Sequence, residues 1–199
     1  MPTSESPDID NVYAAIDVGN SRDPNLVTIA GGTWPRAKFQ GVRASYWVGR
    51  LSPAADPSVF FAARAHHLER WSVARSSYPE GRFGYHRWKR DARAAARNAI
   101  GDVLGSCGLD GAMIERVGEL VDRQSLGSDP DTQLVEDAAC LVFLETQYEE
   151  LIDRLGDDKV AEAVRKTLKK MSPEAIAMAG EAVPGPRGLA LLHRVVNGS

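Results

Sequence analysis

From Asp131 to Leu155 the chain runs without a glycine or a proline. At about 100° per residue, Leu134, Ala138, Leu141, Leu144, Tyr148, Ile152 and Leu155 fall on one apolar stripe. The segment therefore reads as a single helix of roughly seven turns that must bury that stripe against other elements. Asp137 falls inside the stripe, flanked by Leu134, Leu141 and Leu144. A carboxylate there must be paired, protonated or metal-bound, because an isolated buried charge is too costly. The chain is thus expected to build its core around an internal polar site.

The rest of the sequence is helical in pattern. Residues 1–7 are expected to be disordered, and Asp8–Gly19 reads as a short amphipathic helix. Asn25–Pro35 is the one β signal, with Val27 and Ile29 alternating and Gly31-Gly32 able to turn a small hairpin. Helices follow over Phe39–Leu51, over Pro57–Ala74 behind an Asp56 cap, and over Tyr85–Leu104 after a turn-rich loop at Ser76–Gly84. Asp110 caps a helix to about Arg123, and Asp157 opens one to Met171. Ser172-Pro173 opens another to about Ala182, and a last helix ends at Val196. There is no repeat and no dividing linker. The expected architecture is all-α, one domain over residues 8–199 with about eight helices.

With 199 residues, 43% hydrophobic and 26% charged, the chain can bury a full core. Its net charge of −3 argues against general nucleic-acid binding. Two basic clusters, Arg87–Arg93 and Arg165–Lys170, read as solvated helix faces. Cys107 and Cys140 have no zinc-type spacing and suit a reducing compartment. The polar, acidic start is unlike a signal peptide, and no stretch has the roughly 18 apolar residues of a membrane span. A cytoplasmic protein without membrane or nucleic-acid partners is expected. The Ala/Arg/Gly-rich composition points to a GC-rich bacterial genome.

Charge also meets an apolar face on the expected Pro57–Ala74 helix. Phe60, Phe61, Leu68 and Trp71 define that face, Arg64 lies near its centre and His67 at its edge, while His66 points to the opposite side. Glu145 projects near the Asp137 stripe. Packing these helices together would create an interior Arg–His–carboxylate cluster, and three readings of it stay open. One is a structural Arg64–Asp137 ion pair with His67 bonded to a backbone carbonyl. Another is a metal site of His67 and Asp137, completed by His66, Glu136, His86 or Glu145, suited to Mn, Fe, Zn or Mg. The last is a metal-free acid–base site in which Asp137 or His67 moves a proton and Arg64 holds an anionic substrate.

Other signals are weaker. Gly31-Gly32 is no phosphate loop, and no GxSxG or HExxH is present. Trp47, Trp71 and Trp88 read as core residues, although Trp71 is also placed to meet a substrate. The stretch with Tyr78, Arg82, Tyr85, His86 and Arg87 could equally line the mouth of the internal site or simply connect two helices.

Three blocks, AARAHHLERW (62–71), RSSYPEGRFGYHRWKRD (75–91) and DPDTQLVEDAACLVFLE (129–145), resemble the signature segments of the family labelled domain of unknown function 4202. That family more distantly resembles the helical HD-type metal-dependent phosphohydrolases. The resemblance implies His67 as the first metal-binding His, and Asp137 as the acidic ligand with Glu136 before it. It also places Ala95, Ala96, Arg97 and Asn98 where the family typically shows Phe-His-Ala-Glu, so Ala96 replaces an expected His. Two ligands of a site that needs three or four would be missing, and the alanines would enlarge the pocket for an organic ligand.

The expected function is therefore a small-molecule enzyme. As an HD-like hydrolase of an anionic or phosphorylated compound, it would use His67 and Asp137 as ligands, Glu136 as auxiliary ligand or base, and Arg64 and Arg82 as anion holders. As a metal-free enzyme it would use Asp137 as base, His67 as acid and Arg64 to orient a carboxylate or phosphate; in either case Tyr85, His86 and Trp71 would lie near the substrate. A non-catalytic ligand-binding or scaffolding protein is the third possibility.

Overall fold

The computed structural model describes residues 8–29 and 31–197, so the expected disordered segment 1–7 lies outside the described residues. Ten α-helices and one two-stranded hairpin make up the described chain, which is all-α in class. The helices are α1 (Ile9–Asn20), α2 (Arg36–Leu51), α3 (Pro57–Ala65), α4 (Gly81–Ser106), α5 (Gly111–Asp122), α6 (Pro130–Thr146), α7 (Tyr148–Leu155), α8 (Asp157–Leu168), α9 (Pro173–Ala182) and α10 (Pro186–Val196). Strands β1 (Leu26–Ile29) and β2 (Gly32–Pro35) pair antiparallel, Leu26 opposite Pro35 and Ile29 opposite Gly32.

Local chemistry sets most helix starts. Asp56 accepts from Ser58 N with Pro57 at the first helical position, and Asp110 accepts from Met113 N. Asp129 accepts from Asp131 N, and Ser172 from Ala175 N. The core is one continuous cluster. Helices α2, α3 and α6 pack on one another, α5 joins α3 and α4, and α7, α8 and α10 form a second group joined through α6. Trp47, Tyr148 and Phe61 are its largest fully buried side chains among the described residues. No described helix is long and apolar enough to cross a membrane.

Two expected helices are shorter than their patterns suggest. The helix from Pro57 stops at Ala65 rather than Ala74, and two 3-10 turns follow at Arg70–Ser72 and Arg75–Ser77. The Arg64 carbonyl, which a continuing helix would bond to Leu68 N, accepts instead from Asn20 Nδ2 at 3.0 Å. Leu68 N turns back to the Ala65 carbonyl. The expected seven-turn helix is likewise broken at Gln147, with φ −129° and ψ −17°. There Tyr148 leaves the α6 direction, is fully buried, and donates its hydroxyl to the Gly188 carbonyl. Helix α4 starts four residues earlier than expected, at Gly81.

Candidate functional site

The break after α3 shapes the site. Because the helix ends at Ala65, His66 and His67 lie together on a turn, their rings 4.0 Å apart, and do not point to opposite sides. His66 is buried and bonds the Ala63 carbonyl through Nδ1. His67 reaches the wall of a cleft of about 640 Å³, large enough for a metabolite-sized ligand. The floor and walls come from α2, the two 3-10 turns, α4, the end of α5, α6 and the end of α8.

A hydrogen-bond chain sets the state of His67. Thr146 Oγ1 donates to the Val142 carbonyl, so it accepts from Gln40 Nε2 at 3.1 Å. That orientation turns Gln40 Oε1 to His67 Nδ1 at 2.8 Å, so Nδ1 carries the proton and donates. The nitrogen left with a lone pair is Nε2. Burial first, then the neighbouring His66 and Arg70, hold the imidazole pKa well below its ordinary value. His67 is thus a neutral acceptor at physiological pH.

The cleft is strongly cationic. Arg36 comes from α2, Arg70 and Arg75 from the 3-10 turns, Lys89 and Arg93 from α4, Arg123 from the end of α5, and Lys170 from just after α8. Among the described residues only Asp23 and Glu136 oppose these seven, an excess of five positive charges. Asp23 spends its oxygens on Asn25 and on the amide of Ala37. Glu136, 6% exposed, pairs with Arg123 at 2.7 Å and lies 3.6 Å from Lys170. Arg70 lies over the Trp88 ring at 4.5 Å, and Arg75 is anchored to the carbonyls of Tyr78 and Pro79. Arg123 takes the left-handed conformation, φ 54°, which turns it from the end of α5 toward Glu136. Burial lowers the pKa of Arg70 and of Arg93, and Arg123 adds to both.

Two sequence expectations are corrected here. The Arg87–Arg93 and Arg165–Lys170 clusters are not wholly solvated faces: Lys89, Arg93 and Lys170 line the cleft. Nor do the alanines widen it, since Ala96 is buried in the core and neither Ala95 nor Ala96 is in the lining. Arg97 turns away to bind Asp122 and Glu115.

The structure separates the residues that the sequence had grouped. Arg64 does not meet Asp137. It binds Asp17 through two hydrogen bonds of 2.8 Å and lies over the Tyr13 ring. Asp137 is 1% exposed and pairs with no cation among the described residues; its Oδ1 accepts from Gln133 Nε2 and from the Ser172 amide, both at 2.9 Å. It ties α6 to the start of α9 and is not in the cleft lining. Burial raises its pKa. Glu145 accepts from Trp47 Nε1 and binds Arg43. His67, Trp71, Tyr85 and Glu136 do meet in the cleft. His86 lines a smaller neighbouring cavity of about 320 Å³, and Arg82 is exposed with its Nε 3.4 Å from His86 Nε2. Sequence reasoning missed Gln40, Arg70, Arg93, Arg123 and Lys170. Arg70 carried a signal, standing between His67 and Trp71.

Cys140 lines the cleft, and burial pushes its thiol up to about 12, which keeps it protonated near neutral pH.

A family model described as domain of unknown function (DUF4202) matches residues 10–191. No curated protein and no solved structure matches the chain.

Proposed function

The chain belongs to that family, and from its cleft we propose a small-molecule enzyme acting on a multiply charged anion, with phosphorylated compounds as the substrate class. One observation carries this reading: seven cations converge on a cleft with two carboxylates, in a chain whose net charge is −3. Cations so concentrated repel one another, and burial adds to the cost. A ligand with several negative charges relieves both. Guanidinium forks suit the paired oxygens of phosphate or carboxylate.

The metal implied by the phosphohydrolase resemblance does not fit the residues in place. His67 keeps a lone pair at Nε2, but Asp137 lies outside the cleft and spends an oxygen on Gln133 and Ser172, so the two do not share a site. Among the described residues no three His, Cys, Asp or Glu side chains come together to hold a metal ion. The chemistry therefore rests on the chain's own groups. Arg70, Arg93 and Arg123 hold the anion and stabilise charge that develops on its oxygens. His67 Nε2 accepts a proton from water or from a substrate hydroxyl, and Gln40 fixes the ring while it does so. Glu136 orients Arg123. Trp71 and Tyr85 offer apolar surface to the uncharged part of the substrate.

Calorimetric titration with inorganic pyrophosphate, followed by phosphate-release assays on phosphorylated metabolites, tests the reading. Binding should weaken with added salt, and Arg70→Ala should weaken it about 10–100-fold, the loss of a charged hydrogen bond. No binding at about 1 mM pyrophosphate in low salt would overturn it.

A further inference from the structure

Of the two lysines that line the cleft, Lys89 is half-buried, whereas Lys170 is exposed and lies 3.6 Å from Glu136. Lys89 lies on α4 between Tyr85 and Arg93 and lines both the main cleft and the smaller cavity beside it. Its ammonium is 5.7 Å from the centre of the Tyr85 ring, and no carboxylate lies within ion-pair distance among the described residues. Glu136, the acidic group of the cleft wall whose charge acts on Lys89, is already engaged by Arg123 and Lys170.

We propose that Lys89 is the reactive amine of this cleft, adding to the carbonyl carbon of a phosphorylated or otherwise anionic aldehyde or ketone. The proposal rests on the anion-binding reading of the same cleft. The arginines stay charged at any physiological pH and can hold the anionic group, leaving the lysine free for chemistry. Burial first, then Lys170 and Arg93, bring the Lys89 amine down to about 8, so a useful fraction is neutral near neutral pH. The neutral nitrogen attacks the carbonyl carbon and a C–N bond forms. The carbonyl oxygen takes up the proton released by nitrogen, giving a carbinolamine. Loss of that oxygen as water, with the second nitrogen proton, leaves the C=N bond.

The chain has six lysines, which makes the test direct. Lys159, Lys166, Lys169 and Lys170 are exposed, whereas Lys38 and Lys89 are half-buried. The full chain would be treated with pyridoxal 5′-phosphate, an aldehyde carrying a phosphate. Borohydride then reduces the imine, and peptide mass spectrometry locates the label. The expected result is label concentrated on Lys89, its rate rising through pH 8, suppressed by pyrophosphate, and about tenfold or more faster than with phosphate-free pyridoxal. Label spread over the exposed lysines, or equal labelling of Lys89 by the two aldehydes, would overturn the proposal. Pyrophosphate titration of the same sample separates the two ideas. Binding without selective label removes only the Lys89 assignment, while absence of binding removes the anion-binding reading.

Discussion

Gln40 accepts the Nδ1 proton of His67 at 2.8 Å, although the two residues sit on different elements, α2 and the turn after α3. The bond decides which imidazole nitrogen faces chemistry. Nitrogen chemical shifts of the His67 ring should report the Nδ1–H form across pH 6–8, well above its lowered pKa. Gln40→Glu should raise the His67 pKa, because a carboxylate favours imidazolium. A ring protonated on Nε2 in the unsubstituted protein would contradict the hydrogen-bond chain through Thr146.

Acid should destabilise the fold through the two adjacent histidines. His66 is lowered to about 3, mainly by burial with Arg123 adding, and His67 is lowered as well. Groups whose folded pKa is depressed leave the native state unprotonated while the unfolded chain protonates near 6.5. Stability is therefore full above pH 6.5 and falls as pH drops toward 3, by up to about 1.4 kcal/mol per pH unit for His66, with His67 adding in the same direction. Urea denaturation at a series of pH values measures this, and His66→Asn should flatten the slope.

Asp137 tests the difference between holding a fold and doing chemistry. Asp137→Asn keeps an oxygen for Gln133 and Ser172, removes a buried charge, and should change stability by less than about 1 kcal/mol at neutral pH. Asp137→Ala strands the Ser172 amide and should cost about 1–3 kcal/mol. Because burial raises the Asp137 pKa, the unsubstituted protein gains from this group as pH falls through its folded pKa toward the unfolded one, and the Asn variant should lack that gain. Thermal denaturation of both variants, beside pyrophosphate titration, checks that stability moves and binding does not.

Gly41 allows α2 to approach the end of α3. A Cβ there would lie 2.3 Å from the Arg64 carbonyl oxygen and 3.0 Å from Asn20 Nδ2. Neither can retreat without loosening the bond that ends α3. Gly41→Ala should therefore destabilise by about 1–3 kcal/mol and weaken anion binding as well, since the turn carrying His67 and Arg70 moves with it. Normal binding in a destabilised Gly41→Ala protein would separate the turn from the packing.

The starts of α3, α5 and α9 were legible because Asp56-Pro57, Asp110 and Ser172-Pro173 carry their caps in the sequence, whereas α2 and α4, without a side-chain cap, begin earlier than expected. The stop at Ala65 was not legible, since it depends on Asn20, forty-four residues away, taking the Arg64 carbonyl. The break at Gln147 was hidden for a similar reason: Tyr148 is drawn to Gly188 on a distant helix. Helical spacing correctly marked Asp137 as buried but could not name its partners, which are a neighbouring side chain and a helix start. It also assigned cations to solvent by default. Lys89, Arg93 and Lys170 line a concave wall only once α4, α5, α6 and the end of α8 have come together.

The cationic cleft has a consequence for the whole molecule. With a net charge of −3 and an excess of five positive charges in one recess, the rest of the chain carries a net charge of −8. A compact anion small enough to enter the recess would meet the whole of that positive excess at once, which an extended polyanion could not. On the anion-binding reading proposed above, the recess would then act as a size filter, favouring compact phosphorylated metabolites over long nucleic acids.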